Sequence, residues 1–426
     1  MPLHSLAHVI VVNDTLHVDG GAAQVALTSA IGLRERGYRV TVFGAVEPVA
    51  PGLLAAGVEV VSLGQRTILE DGNRRRAMAQ GIWNASAYRR MRELLQTCDA
   101  SATIVHVHGW AKSLSASVAR AAEDAGFPVV LTLHDFFSVC PNGALFDHPA
   151  QAICRREPMS LSCVTRNCDS RSALHKAWRV VRHVAQDRIG HLPRTVRHSI
   201  AVSEFSRSVL VPLLPPELPI TIVRNPIEVA RREPADPARS EAFAYVGRLS
   251  SEKGVVPFAL AARDAGVPAL FIGSGELRPQ VAAANPQASF TGWLDHASSH
   301  ERLCGARALV VPSLWYEAGP LVVAEAAAAG IPAIVPSTSA ASELIVDGVT
   351  GTVFQGGDQA ALAAALASYT DDERVRAHGL AAYDRYWANP LTMERHLDGL
   401  AAVYAGMTDV ARERVAVAPA LATQLA

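Results

Sequence analysis

The sequence predicts an α/β protein built from two doubly wound parallel-sheet domains that face a central cleft. Three observations predict it. Short apolar runs alternate with helix-period segments along nearly the whole chain, the mark of βαβ units. A stretch rich in charge, Ala and Pro from Glu228 to Glu241 interrupts the alternation, which then resumes. The chain of 426 residues has room for two domains of ordinary size.

The elements follow in order. His8 to Val12 reads as a buried strand, and Gly20-Gly21-Ala22-Ala23 leads into a helix that ends near Gly37. Arg39 to Phe43, Val58 to Leu63, Thr103 to Val107 and Val129 to Leu133 continue the first sheet. His198 to Val202 and Ile220 to Val223 close it, with Pro212 to Pro219 as a punctuating loop. This assigns residues 1–227 to a first domain, 228–241 to a linker and 242–388 to a second domain. In the second domain, strands at Ala242 to Val246, Ala269 to Ile272, Ala308 to Val311 and Ala333 to Val335 alternate with helices. Helices run through Asp358 to Tyr369 and on to Tyr404, and residues 412–426 read as a frayed tail.

Composition narrows the function classes. Half the residues are hydrophobic and 19% are charged, which suits large cores and not a disordered chain. A formal net charge of −1 gives no polyelectrolyte signature for nucleic acid. The first residues lack a signal-peptide pattern, and no apolar run approaches the length of a membrane span. The expectation is a cytoplasmic protein whose membrane contact, if any, is peripheral.

The chemistry concentrates in Trp315-Tyr316-Glu317-Ala318-Gly319-Pro320-Leu321-Val322-Val323-Ala324-Glu325. Pro320 suits a first helical position, where its missing N–H costs nothing. Free N–H groups of Leu321 and Val322 can then meet an anion. Glu317 precedes this helix start and Glu325 lies about a turn and a half along it. An acid on either side of a phosphate-ready helix start points to a phosphorylated, hydroxyl-rich ligand such as a nucleotide sugar. Upstream, Tyr245-Val246-Gly247-Arg248-Leu249-Ser250-Ser251-Glu252-Lys253-Gly254 is a strand and a loop with two cations. Phe271-Ile272-Gly273-Ser274-Gly275-Glu276-Leu277 and Phe290-Thr291-Gly292-Trp293-Leu294-Asp295 follow.

These four motifs in this order resemble the retaining GT-B glycosyltransferases of family 4, over about Ala7 to Tyr404. The resemblance implies two Rossmann-like domains, with the helix Pro390 to Tyr404, within 389–411, crossing back onto the first. It implies that Arg248 and Lys253 hold a diphosphate, Arg bidentately and Lys as a point charge. Glu325 matches the glutamate that takes the ribose hydroxyls, and Glu317 the one that faces the donor sugar. Gly273 and Gly275 allow close backbone approach to the nucleotide, and Trp293 and Leu294 stand where the base is read; a tight turn and plain packing are the alternatives. Gly247, Gly319, Pro320, Leu321 and Val322 complete the donor side. No Asp-x-Asp metal signature is present, so fixed cations and backbone dipoles, with no catalytic cofactor, are left to offset leaving-group charge.

Gly20 and Gly21 sit in a strand-to-helix turn where amides can approach a phosphate or the acceptor. His134 and Asp135 follow Val129 to Leu133 directly, and the resemblance carries His134 to the donor sugar. His108 could line the acceptor side, together with Asp135. The resemblance implies front-face departure and attack, with the leaving phosphate taking the acceptor's proton. Two alternatives are a nucleotide-sugar epimerase of the same fold and a silent nucleotide-sugar-binding subunit.

Two features stand apart from the motifs. Cys140, Cys154, Cys163 and Cys168 fall in an insertion at about 138–170, with thirteen, eight and four residues between them. The bacterial surface-polysaccharide members of the family include chains with a similar insertion. Structural zinc, reduced thiols, disulfides and an iron–sulfur cluster remain open, although no Cys-x-x-Cys spacing is present. Arg166 to Arg197 holds eight Lys or Arg against two Asp, and Arg74, Arg75, Arg76, Arg89, Arg90 and Arg92 form a second basic cluster. These read as solvated helix faces or as attraction to anionic lipid and a lipid-linked glycan acceptor.

Overall fold

The computed structural model describes residues 6–422, with side chains to residue 407. Fifteen strands occur among them. The first nine are β1 (His8–Val12), β2 (Arg39–Val46), β3 (Glu59–Gln65), β4 (Thr103–Val107), β5 (Val129–Leu133), β6 (Phe146–Asp147), β7 (Ala152–Ile153), β8 (His198–Ala201) and β9 (Ile220–Ile222). The second half adds β10 (Phe243–Val246), β11 (Ala269–Ile272), β12 (Ser289–Gly292), β13 (Ala308–Val310), β14 (Ala333–Pro336) and β15 (Gly351–Phe354).

Seven strands form one sheet in the order β3-β2-β1-β4-β5-β8-β9, and six form another in the order β12-β11-β10-β13-β14-β15. Every pairing in both sheets is parallel. Strands β1, β4 and β5 are buried along their whole length, which is why they read as Val/Ile/Leu-rich runs, interrupted only by His8, Thr103, His106 and Thr132, instead of alternating. In each sheet the strand order reverses once, between β1 and β4 and between β10 and β13. Crevices at the carboxyl ends of such switch points are where open α/β sheets take ligands.

The last helix, Met393–Ala422, returns to the first domain. Leu397, Leu400, Val403 and Tyr404 are buried in one cluster with Val9, Val11, Ala26 and Leu33. Gly32 makes the approach possible, since a Cβ there would lie 2.7 Å from Leu397 Cδ1. His396 bonds Ser29 Oγ and the carbonyl of Arg224, both at 2.9 Å.

The structure departs from the sequence reading in three places. Strands β12 and β15 are edge strands that the pattern did not declare; Ser289, Thr291 and Gly292 in one and Gly351 and Thr352 in the other break the apolar run that marks the buried strands. The ribbon β6-β7 is an antiparallel pair inside the cysteine segment. The expected tail at 412–426 continues as helix through Ala422, in a segment rich in the good helix formers Ala, Arg and Glu, and 423–426 lie outside the described residues. The segment 228–241 has one 3-10 turn, Pro237–Arg239, and packs along the second domain. There the Arg231 guanidinium stands 5.8 Å from the Tyr383 ring and 5.6 Å from that of Trp387.

Candidate functional site

The second domain builds its part of the site from short loops. After β10, Gly247 takes φ +148°, and the Tyr245 hydroxyl donates to the Arg248 carbonyl at 2.7 Å. Arg248 reaches outward, its guanidinium 2.9 Å from Glu252 Oε1, which also accepts from Ser250 Oγ at 2.6 Å. Those bonds hold the Glu252 carboxyl below its usual range against the burial that would raise it. Gly273 and Gly275 are demanded by the fold itself. A Cβ at Gly273, φ +141°, would lie 2.0 Å from the Gly247 carbonyl oxygen, and one at Gly275 would lie 2.3 Å from that of Leu249.

Lys253 Nζ pairs with Glu317 Oε1, and Ser313 Oγ donates to Glu317 Oε2 at 2.6 Å. The ammonium also lies 5.4 Å from the Trp315 ring. Helix Leu321–Ala328 begins just after this loop. Pro320 is the residue before the first helical one, not the first itself, a shift of one position that leaves its lack of an N–H equally harmless. The N–H groups of Leu321 and Val322 find no acceptor among the described residues, as expected of an uncapped helix start. Glu325, on the same helix, accepts from His296 Nε2 at 2.9 Å, and that bond raises the imidazole's pKa. Trp293 is 75% exposed, which excludes core packing, whereas Leu294 packs against the core beside it.

The Glu317 loop is docked on the first domain. Ser203 Oγ donates to the Ala318 carbonyl at 2.6 Å, and a Cβ on Gly319 would lie 3.3 Å from Val202. Tyr316 meets Phe136 and Phe205 edge-on at 6.3 and 5.6 Å. Arg224 pairs with Glu343 at 3.0 Å across the same boundary. Glu317 and Lys253 therefore stand where the two domains meet.

The first domain supplies neutral groups. His106 is buried, its Nδ1 2.6 Å from the Tyr404 hydroxyl and its Nε2 2.7 Å from Thr132 Oγ1. His108 Nδ1 lies 3.0 Å from His134 Nε2, and the three rings stack in a row at 4.1 and 5.3 Å. Burial pulls His106 and His134 each down to about 3 and His108 well below its usual value. The row is uncharged at neutral pH. Nε2 of His108 is buried without a partner. Asp135 is exposed and accepts the Phe137 N–H at 2.9 Å, a bond that opposes the rise in its pKa caused by its surroundings. Gly20 and Gly21 open helix Gly21–Glu35, and a Cβ on either would meet nothing within 4 Å. Beside them Asp14, buried, accepts the N–H groups of Lys112, Ser113 and Leu114 at 2.8 to 2.9 Å and so ties the loop after β1 to the loop after β4.

The cysteine insertion comes close to the second domain at His148. His148 lies near enough to Glu252 for that carboxylate to oppose the fall in its pKa that burial causes. All six cysteines of the chain are free thiols, so the disulfide alternative is absent. Among the described residues no group of three or more His, Cys, Asp or Glu side chains is placed to hold a metal. Instead the ammonium of buried Lys176 stands 3.4 Å from Cys168 Sγ and 3.7 Å from Cys163 Sγ. Cys140 turns to Asn142 Oδ1 at 3.3 Å, and half-buried Cys154 lies 3.9 Å from the Arg156 guanidinium.

The sequence reading missed Glu252, Ser313, His296 and Tyr404. Glu252 and His296 lie inside quoted motifs or one residue past them; Ser313 stands two residues before one. Tyr404 carries no local signal, being 298 residues from its partner.

Two facing parallel-sheet domains, with cations and carboxylates at the carboxyl ends of the second and a histidine row in the first, define the GT-B class of fold. The family model for glycosyltransferase family 4 matches residues 19–231, and that for glycosyl transferases group 1 matches 226–384. The chain belongs to glycosyltransferase family 4. It is 35% identical over 171 residues to glycogen synthase of Mycobacterium tuberculosis, a match covering 36% of this chain and 40% of that protein. The match thus spans about two-fifths of the length of the curated relatives. Among solved structures, sucrose-phosphate synthase from Thermosynechococcus elongatus superposes with a TM-score of 0.67 at 16% identity, over 95% of this chain and all of that one. HepE of Anabaena, in complex with UDP and glucose, gives a TM-score of 0.63 at 16% identity, over 94% and 100%. At such identity these two structures speak for the fold alone.

Proposed function

We propose that the chain is a retaining glycosyltransferase that moves a sugar from a UDP- or GDP-sugar to a carbohydrate or lipid-linked glycan, in surface polysaccharide synthesis at the cytoplasmic face of a membrane. The observation that carries this reading is the convergence of Arg248, Lys253, Glu317 and the uncapped helix start at Leu321 on one side of the interdomain cleft. The HepE complexes with UDP and UDP-glucose support a nucleotide-sugar donor.

In this reading the diphosphate takes the places now filled by Glu252 and Glu317 against Arg248 and Lys253, and the N–H groups of Leu321 and Val322 add a dipole. Glu325 takes the ribose hydroxyls, and Glu317, released from Lys253, takes those of the sugar. His134 is neutral, so it offers hydrogen bonds without repelling positive charge at the anomeric carbon. The bond from that carbon to the phosphate oxygen breaks on the face where the acceptor oxygen attacks, and the departing phosphate takes the acceptor's proton. These fixed cations and dipoles oppose the leaving-group charge, so catalysis needs no metal.

The test is thermal stabilisation by UDP, GDP, ADP and dTDP, since a ligand of the native state raises apparent stability. One nucleotide should stabilise the wild type and neither Arg248→Ala nor Glu325→Ala. Absence of any shift sinks the donor site. A covalent glycosyl-enzyme, or inverted product stereochemistry by NMR, sinks the front-face mechanism.

A further inference from the structure

Helix Ala173–Arg188 wears its polarity reversed. Lys176, Arg182, His183 and Gln186 are buried beneath it. Leu174, Val181 and Val184 lie on its outer side, 73%, 54% and 44% exposed, and Ile189 follows at 52%. A helix facing water does the opposite, because buried charge and exposed hydrocarbon both cost free energy. The outer face is therefore suited to an apolar neighbour.

The same helix closes a cavity of about 470 Å³, within the usual size of small-molecule sites. Ile68, Leu69, Met78, Phe137, Leu174 and Trp178 give it apolar walls. Arg74, Lys112, Arg171, Arg179 and Arg182 bring cations to it. Lys112 and Arg179 are neutralised by Asp19 and Asp169, at 2.6 and 2.7 Å. Arg182 and Arg171 form no close ion pair among the described residues, and Asp135 and Asp14 act on Arg182 only from farther off. The Arg182 guanidinium, 7% exposed, lies 4.7 Å from the Phe137 ring and 5.2 Å from that of Trp178, and donates to the Ala111 carbonyl at 3.1 Å. Burial and the nearby Arg179 pull it down to about 10 against the support of Asp135 and Asp14, so it stays charged at neutral pH. Asp19, Ala111 and Phe137 belong to the loops after β1, β4 and β5. The cavity therefore adjoins the carboxyl ends of the first sheet, beside the histidine row.

We infer that this cavity binds the acceptor, and that the acceptor is a lipid phosphate: its phosphate group on Arg182 and Arg171, its hydrocarbon leaving past Leu174 along Val181 and Val184. Only the word acceptor rests on the function proposed above; the binding does not. One ligand accounts for both anomalies, a buried cation without a close ion pair and an exposed apolar stripe, which share one helix. Membrane contact follows from it, since the chain of such a ligand lies in a bilayer.

The test is calorimetric titration of the full chain with farnesyl diphosphate, with UDP present throughout at saturation to occupy the donor site. Saturable binding is expected, at least about tenfold tighter than that of inorganic diphosphate or of farnesol, because each lacks half of what the site recognises. Arg171→Ala and Leu174→Glu, both at exposed positions that should leave folding intact, should each weaken it by about tenfold, and Arg182→Met by more. Farnesyl diphosphate binding no tighter than inorganic diphosphate overturns the proposal, and so does binding seen in a parallel titration without UDP but lost when UDP is present. Vesicles of phosphatidylglycerol that bind wild type and Arg182→Met equally, without any farnesyl diphosphate site, assign the stripe to bulk membrane and overturn the cavity. A protein that fails to bind UDP yet binds farnesyl diphosphate refutes the donor site and leaves this one standing.

Discussion

The two walls of the cleft are made differently. In the second domain the ligand-facing groups come from contiguous segments, and their partners lie close in sequence or in the next motif. Arg248 meets Glu252 four residues on, and Lys253 meets Glu317 through loops that leave neighbouring strands β10 and β13. In the first domain the groups are single residues after separate strands, and a residue from the far end of the chain, Tyr404, fixes one of them. Two glycines differ as well. Gly273 is a glycine because the fold leaves no room for a Cβ, whereas at Gly20 the space is open. At these two positions one residue type marks a packing necessity and an open space.

Alanine at the two positions should separate these meanings with the largest effect in the molecule. Gly273→Ala combines a positive φ with a backbone oxygen 2.0 Å from the new Cβ, so it should lose about 3 kcal/mol or more of stability. Gly20→Ala, with extended backbone and open space, should keep or slightly raise the melting temperature. If Gly20 serves a phosphate, its alanine variant loses nucleotide binding while staying folded. Equal melting temperatures for the two variants would break the comparison.

On the second wall, Lys253→Met should cut transfer by roughly a hundredfold, the scale of removing one positive group from a developing anion. Glu317 would lose its partner at the same time, so the control is nucleotide binding measured separately by calorimetry. Unchanged turnover would reassign Lys253 as a structural ion pair.

How much of this could be read beforehand follows the same division. Strand–helix alternation set out both sheets, because buried parallel strands are continuous apolar runs that need no partner to be recognised. The motif glutamates and cations could be named because each stands in a short local pattern. What escaped needs tertiary information. The outer apolar face of Ala173–Arg188 looked like a solvated basic helix, since a count of arginines does not say which way Arg182 points. Tyr404 and His106 are joined by a contact that no window of sequence contains.

Burial of the histidines makes the first wall sensitive to acid. His106 and His134 have folded-state pKa values near 3 against an ordinary value of 6.5, so the unfolded chain binds more protons between these limits. Their contribution to stability is complete above about pH 6.5 and is lost as the pH falls towards 3. The melting temperature should therefore drop below pH 6.5, and His106→Gln should flatten that slope while lowering the plateau. Tyr404→Phe should cost about 1–3 kcal/mol at neutral pH, the penalty for leaving a buried ring nitrogen unpaired. A pH profile identical in wild type and His106→Gln would remove His106 as its source.

The smallest effect belongs to the cysteine loop, between the two walls. Four thiols in so short a segment invite a metal, but the structure puts the Lys176 ammonium against Cys163 and Cys168, in the place a cation would take. Arg166 and Arg156 close on Asp147 at 2.7 and 3.3 Å, and Asn142 bonds the Phe146 carbonyl at 2.9 Å. The loop is thus held by its own polar contacts. EDTA should leave the melting temperature of the purified full chain unchanged, whereas Lys176→Met, which removes the buried charge from beside the sulfurs, should change it. If EDTA lowers the melting temperature and about one equivalent of zinc restores it, Lys176 is displaced in the working protein and the thiols converge on a metal after all. The two reagents act on the same few atoms in opposite senses, so one melting series decides between them.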